Sequence, residues 1–126
     1  MNYRAIGHDG EPWPQWVRDL KGKSGVYVIK NRDDSYKALY VGSSAGKLYD
    51  TLARHFQQWH RKKNFWKGLR GAHHDPGMTY RRAAVVVGVV LTTKGEHLEE
   101  EARLIHALKP RDNLTQHPDG DDTVPF

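Results

Sequence analysis

The stretch from Ser24 to Gly42 constrains the fold more than any other, because it reads as two short strands joined by a turn. Gly25-Val26-Tyr27-Val28-Ile29-Lys30 and Ala38-Leu39-Tyr40-Val41-Gly42 are rich in β-branched and aromatic residues, which suit a pleated, half-buried surface. Between them, Asn31-Arg32-Asp33-Asp34-Ser35 supplies turn chemistry, so the two runs are expected to pair as a hairpin. Side chains alternate faces along a strand. Val26 and Val28 are therefore expected on one face, with Tyr27 and Ile29 on the other. On the partner, Leu39 and Val41 are expected to share a face and Tyr40 to take the opposite one. One register brings both phenols to the same surface, although alternation alone does not select it.

A further strand is expected over Ala83 to Leu91, which is nearly all apolar and β-branched and so belongs in the middle of the sheet, buried on both faces. Three helices surround these strands. From Glu11 to Leu20, Pro12 and Pro14 sit near a helix start, and Trp16, Val17 and Leu20 form a short apolar stripe. From Leu48 to about Lys62, Leu48, Leu52, Phe56 and Trp59 recur at helical spacing. From about Glu96 to Leu108 the expected stripe is Leu98, Ala102, Ile105 and Leu108, and Lys109-Pro110 ends the helix. Met1 to Gly10 has no periodic pattern, and residues 115–126 read as a flexible acidic tail.

At 126 residues the chain is expected to form one domain with a modest core, spanning about 24–114. It contains no cysteine, which excludes disulfides and thiolate metal sites and fits a reducing, cytoplasmic location. Met1-Asn2-Tyr3-Arg4 lacks the apolar core of a signal peptide. No apolar run approaches the ~20 residues needed to cross a membrane, so no membrane partner is expected. The formal net charge is +5. Between Lys47 and Arg82, nine basic residues face only Asp50 and Asp75, a local excess of +7. Such a field favours a polyanion, most simply a nucleic-acid backbone. Phe65, Trp66 and Tyr80 are interleaved with these bases. They suit base stacking, and equally suit anchoring a surface loop to the core.

Two local patterns point to ligands and fail on spacing. Gly42-Ser43-Ser44-Ala45-Gly46-Lys47 looks like a phosphate loop, but Val41 stands where its first glycine is needed and Leu48 where serine or threonine is needed. His73-His74-Asp75 has no further ligand spaced to close a tetrahedral zinc site. Two other positions keep open alternatives. Thr51, His55 and Gln58 lie along one helix flank, which either lines a site at the sheet edge or is solvated. Glu101 shares the apolar side of its helix with Leu104 and Ile105, whereas Glu99 and Glu100 turn away. A carboxylate there is costly unless it is paired or bound to a cation.

The triplets Gly25-Val26-Tyr27 and Tyr40-Val41-Gly42, then Glu101 followed by Leu104-Ile105, Pro110 and Asn113, resemble the ordered signature of the GIY-YIG nuclease superfamily. The likeness covers about Ser24 to Asn113, with valine in place of both isoleucines. The family fold is a small three-stranded antiparallel sheet flanked by helices, and the α+β pattern read above fits it. The resemblance implies a metal-dependent endonuclease hydrolysing phosphodiester bonds, with DNA as the expected substrate and Mg²⁺ or Mn²⁺ as cofactor. Tyr27, Tyr40, Arg54, His55 and Glu101 would be catalytic, with Glu101 holding the metal. Gly42, Ser43, Lys47, Thr51 and Asn113 would meet the substrate. One departure stands out. Most relatives present an arginine where this chain has Thr51, and Arg54, three residues on, is the nearest replacement. The alternative implied by that departure is a non-catalytic nucleic-acid-binding module on the same fold. Ser43 likewise stands where many relatives have lysine.

Overall fold

The computed structural model describes residues 1–34, 37–57 and 79–116, the side chains of 114–116 excepted. It is an α+β fold around one antiparallel sheet of four strands, β1 (Tyr3–Ala5), β2 (Gly25–Asn31), β3 (Ala38–Ser44) and β4 (Val85–Leu91), in the order β1-β4-β2-β3. The expected hairpin forms and is longer than expected at both ends, although the Ser35 end of its turn lies outside the described residues. Three strands were expected and four are present. The extra one is β1, which pairs Tyr3 with Gly88 and Ala5 with Val86 at the edge of the sheet. Three residues without apolar alternation leave no periodic signal, so only pairing with β4 defines this strand.

Register settles the faces of the hairpin. Tyr27 lies opposite Gly42, and Ile29 opposite Tyr40, so both phenols share one surface. The register then shifts between Ile29 and Lys30, which pairs with Ala38. This bulge places Leu39 as an extra residue beside Tyr40. Leu39 therefore joins the cluster of Tyr27 and Ile29, while Val41 joins the cluster of Val26 and Val28. The expectation that Leu39 and Val41 share a face is corrected by that one inserted residue.

Two cores cover the two faces of the sheet. The larger packs Ile6, Tyr27, Ile29, Leu39, Val85 and Val87 against α1 (Gln15–Arg18) and α2 (Leu48–Arg54), through Val17, Leu48 and Leu52. The smaller packs Val26, Val28, Ala38 and Val41 against Leu104 of α3 (His97–Leu108), with Ile105 and Leu108 beside it. β2 is thus the strand buried on both sides. β4 lies inside the sheet as expected, but its Val86 and Val90 are only half-buried, because α3 packs on β2 and β3, and Val89 on the other face is half-buried at the border of the larger core.

Helix boundaries also differ from expectation. α1 is a single turn within Glu11–Leu20. α2 ends at Arg54, well before Lys62, and residues 58–62 lie outside the described residues. Within α3 the buried residue is Leu104, while Leu98 and Ala102, expected in the stripe, are exposed. A fourth helix, α4 (Arg111–Gln116), follows Pro110 and packs along β3. Lys109 makes the turn between α3 and α4 in a left-handed conformation at φ 47°, a common way to end a helix.

The basic middle segment lies mostly outside the described residues, including Phe65, Trp66 and His73-His74-Asp75. At its described end Arg81 is exposed but Arg82 is not. Arg82 is 4% exposed and donates to the carbonyls of Ile6 (2.6 Å) and Glu11 (2.6 Å) while its guanidinium covers the Trp13 ring at 4.0 Å. It pins the segment between β1 and α1, so it does not belong to a polyanion-binding surface. Residues 117–126, read as part of an acidic tail, lie outside the described residues. Among the described residues, no helix is long and apolar enough to cross a membrane.

Candidate active site at the outer strand edge

β3 is an edge strand, and a cleft of about 280 Å³ opens beside it. Its lining draws on four elements: Tyr27 from β2, Tyr40, Gly42 and Ser43 from β3, Thr51 and Arg54 from α2, and Leu98 and Glu101 from α3. The two faces of the sheet meet here. Tyr27 and Tyr40 arrive from the α2 side, Glu101 from the α3 side.

The glycines of both triplets make room for this arrangement. A Cβ on Gly42 would lie 2.3 Å from the Tyr27 hydroxyl oxygen and 2.5 Å from its ring, so the phenol of Tyr27 can cross β3 only because position 42 has no side chain. A Cβ on Gly25 would lie 2.3 Å from the Val90 carbonyl oxygen, so the close approach of β2 to β4 has the same cause. Tyr27 is 1% exposed, and its ring stacks with Tyr40 at 6.3 Å between centroids and 30° between planes.

His55 closes the cleft from behind. It is the first residue after α2, fully buried, with Nε2 2.7 Å from the Tyr27 hydroxyl and its ring 4.7 Å from that of Tyr40. Tyr80 holds the backbone there by donating its N–H to the His55 carbonyl at 2.7 Å. Of the two readings of the Thr51–His55 flank, the solvated one is therefore wrong for His55. Sequence reading left Asp112 without a role and offered Tyr80 for base stacking or loop anchoring. They form a support, since the Tyr80 hydroxyl donates to Asp112, which Arg111 also pairs.

Glu101 is half-buried, and its Oε1 accepts a hydrogen bond of 2.8 Å from the Ser43 hydroxyl. Glu100, one residue before, turns to Arg103 on its own helix. Thr51 and Arg54 both line the cleft. Two expected substrate contacts lie elsewhere. Lys47 is exposed at the start of α2, outside the cleft lining, and its N–H donates to Ser44 Oγ at 3.2 Å. Asn113 is 5% exposed and clamps Val41, accepting from its N–H at 2.7 Å and donating to its carbonyl at 2.9 Å. It completes the edge of β3 as a neighbouring strand would. Leu98 is the lining residue that sequence reasoning placed elsewhere.

Electrostatics follow from this packing. Burial pushes the Tyr27 phenol well above its ordinary value; the phenol of Tyr40 and the charge of Glu101 add to the effect, and Arg54 opposes it. Burial, then Glu101, pushes Tyr40 up to about 12. Both phenols are protonated at neutral pH, and the Tyr27 hydroxyl shares its hydrogen bond with His55 Nε2 in a direction set by the imidazole tautomer. The oxygen donors of the cleft, one carboxylate, the hydroxyls of Ser43 and Thr51 and two phenols, suit a hard divalent cation that keeps most of its waters. They do not suit zinc, which prefers several nitrogen or sulfur ligands. Among the described residues, no three of His, Cys, Asp and Glu come together. Compared with protein-family models, curated proteins and solved structures, the chain gives no significant match in any of the three.

Proposed function

We propose that this cleft hydrolyses phosphodiester bonds of nucleic acid, DNA in the first instance, as a metal-dependent endonuclease of the GIY-YIG type. One observation carries the reading. Tyr27, Tyr40, Gly42, Ser43, Thr51, Arg54 and Glu101, spread over more than half the chain, line a single cleft. Arg54 supplies the cation that pairs with a non-bridging phosphate oxygen, the task a guanidinium performs well through its forked donors. Glu101, oriented by Ser43, holds the divalent ion. When bound, that ion supplies stabilisation for charge on the leaving oxygen.

Tyr27 is a poor base by itself, since burial holds its proton. His55 removes that obstacle. As water attacks phosphorus and the ester bond to the leaving oxygen breaks, the Tyr27 oxygen takes the water proton while its own proton moves to His55 Nε2. The leaving alkoxide is protonated from solvent, and the buried imidazolium later returns its proton by way of the Tyr27 hydroxyl, which releases one to water in the cleft. No free phenolate is needed. Tyr40 stacks on the Tyr27 ring and meets the His55 ring at a tilt, which fixes the place of the pair.

The test is supercoiled plasmid and single-stranded DNA incubated with wild-type protein in Mg²⁺, in Mn²⁺ and in EDTA. Cleavage in metal that stops in EDTA is expected. The second reading, a binding module on the same fold, is favoured by the uncharged Thr51 in the place where relatives carry arginine. It predicts salt-sensitive binding and no cleavage under any metal condition.

A further inference from the structure

Leu98 is the one aliphatic side chain in the cleft lining, and it is 63% exposed. It stands one helical turn before Glu101, and residues three apart on a helix are neighbours, with Cβ atoms about 5–6 Å apart. It does not belong to either buried cluster. Its side chain gives the cleft rim aliphatic surface that a seated ligand can cover, and covering apolar surface is favourable. What lies beside a phosphate seated between Arg54 and Glu101 is fixed by covalent chemistry, because both ester oxygens are bonded to sugar carbons.

We infer that Leu98 packs against the deoxyribose next to the bound phosphate and thereby selects DNA over RNA. This rests on the nucleic-acid reading of the cleft and adds the residue that sets the sugar preference. Deoxyribose offers C–H surface at its 2′ position, where ribose carries a hydroxyl that is both donor and acceptor. Against Leu98 that hydroxyl loses water and gains no partner. An apolar wall rejects an added hydroxyl only moderately, by about 10²-fold at best in an enclosed pocket. A wall as open as Leu98 belongs at the lower end, roughly tenfold.

The experiment is equilibrium binding in EDTA of single-stranded DNA and RNA of one sequence built only from adenine and cytosine, so that the sugar is the sole difference. Wild type, Leu98→Ala and Leu98→Asn are compared across a salt series. The expected result is a wild-type preference for DNA of about tenfold, falling to within about threefold in both variants. The salt slope should not change, since slope counts phosphate contacts. Equal wild-type affinity for the two sugars, or a preference that survives both substitutions, overturns the role of Leu98. Wild type that prefers DNA through Leu98 yet cleaves nothing in Mg²⁺ supports this inference while removing the nuclease reading. Wild type that binds neither polymer overturns both. An exposed leucine with a merely structural role would leave the DNA-to-RNA ratio untouched.

Discussion

Gly42 and Tyr27 form a single steric unit, because the phenol occupies the space a Cβ would fill. Gly42→Ala should therefore destabilise the protein by about 1–3 kcal/mol, as overpacking does, and should move Tyr27 away from His55. Denaturant unfolding and single-turnover cleavage would both register it; unchanged stability would show that the ring has room to yield. Arg54 and Lys47 provide a second contrast. Arg54 lines the cleft and Lys47 does not, so Arg54→Ala should lose about 10²–10³ in cleavage rate and Lys47→Ala less than tenfold. Equal losses would reduce Arg54 to a general phosphate contact. Tyr27, Tyr40 and Glu101 were legible in the sequence as types at spacings. The resemblance put His55 among the catalytic residues, but its burial was not legible, because it depends on α2 stopping at Arg54 and on Tyr80 returning to cover it. Leu98 was placed in a buried stripe by periodicity alone, which cannot tell how far a helix overhangs its sheet.

α4 is the element whose contribution is least visible in sequence. It is short and polar, and it follows a proline, yet Asn113 occupies both outward backbone groups of Val41, and Asp112 receives Tyr80. It steadies both the strand that carries Tyr40 and the residue that covers His55. Asn113→Ala should leave buried backbone groups of Val41 without partners, at about 1–3 kcal/mol each. Hydrogen exchange at the Val41 amide should rise along with the loss of stability. Asn113→Asp keeps the acceptor for the N–H but sets a buried carboxylate oxygen against the Val41 carbonyl, so its effect should be at least as large. If exchange at Val41 stays as slow in Asn113→Ala, the clamp has no energetic weight. The hairpin and the helical face of Glu101 were readable because alternation and helical spacing are strong signals. The bulge at Ile29–Lys30 was not, since one inserted residue changes no composition.

Across the whole molecule, buried phenols couple the site to stability. Tyr27 and Tyr40 titrate above their ordinary value in the folded state, Tyr40 at about 12. Tyr80 is also raised, by burial and then by its hydrogen bond to Asp112. Groups raised on folding hold the native state below their unfolded pKa of about 10 and lose that contribution as pH climbs toward the folded value. Stability should therefore be level up to about pH 9 and fall between about pH 10 and 12. Tyr40→Phe should flatten the fall, as measured by denaturant unfolding at each pH. A fall of the same steepness in that variant would place the titrating groups elsewhere. The same packing gathers Tyr27 and Tyr40 with Glu101 and Arg54 in one cleft, and the central claim is that this cleft cleaves phosphodiester bonds through an ion held at Glu101. Its most direct test is plasmid cleavage in Mg²⁺ by wild type, Glu101→Gln and Glu101→Ala, with circular dichroism as the check on folding and calorimetric Mn²⁺ titration as the check on metal. The account predicts that both variants fold, lose metal binding and lose cleavage by at least about 10²-fold. Folded Glu101→Ala that cleaves at the wild-type rate, or wild-type cleavage that persists in EDTA, would contradict it.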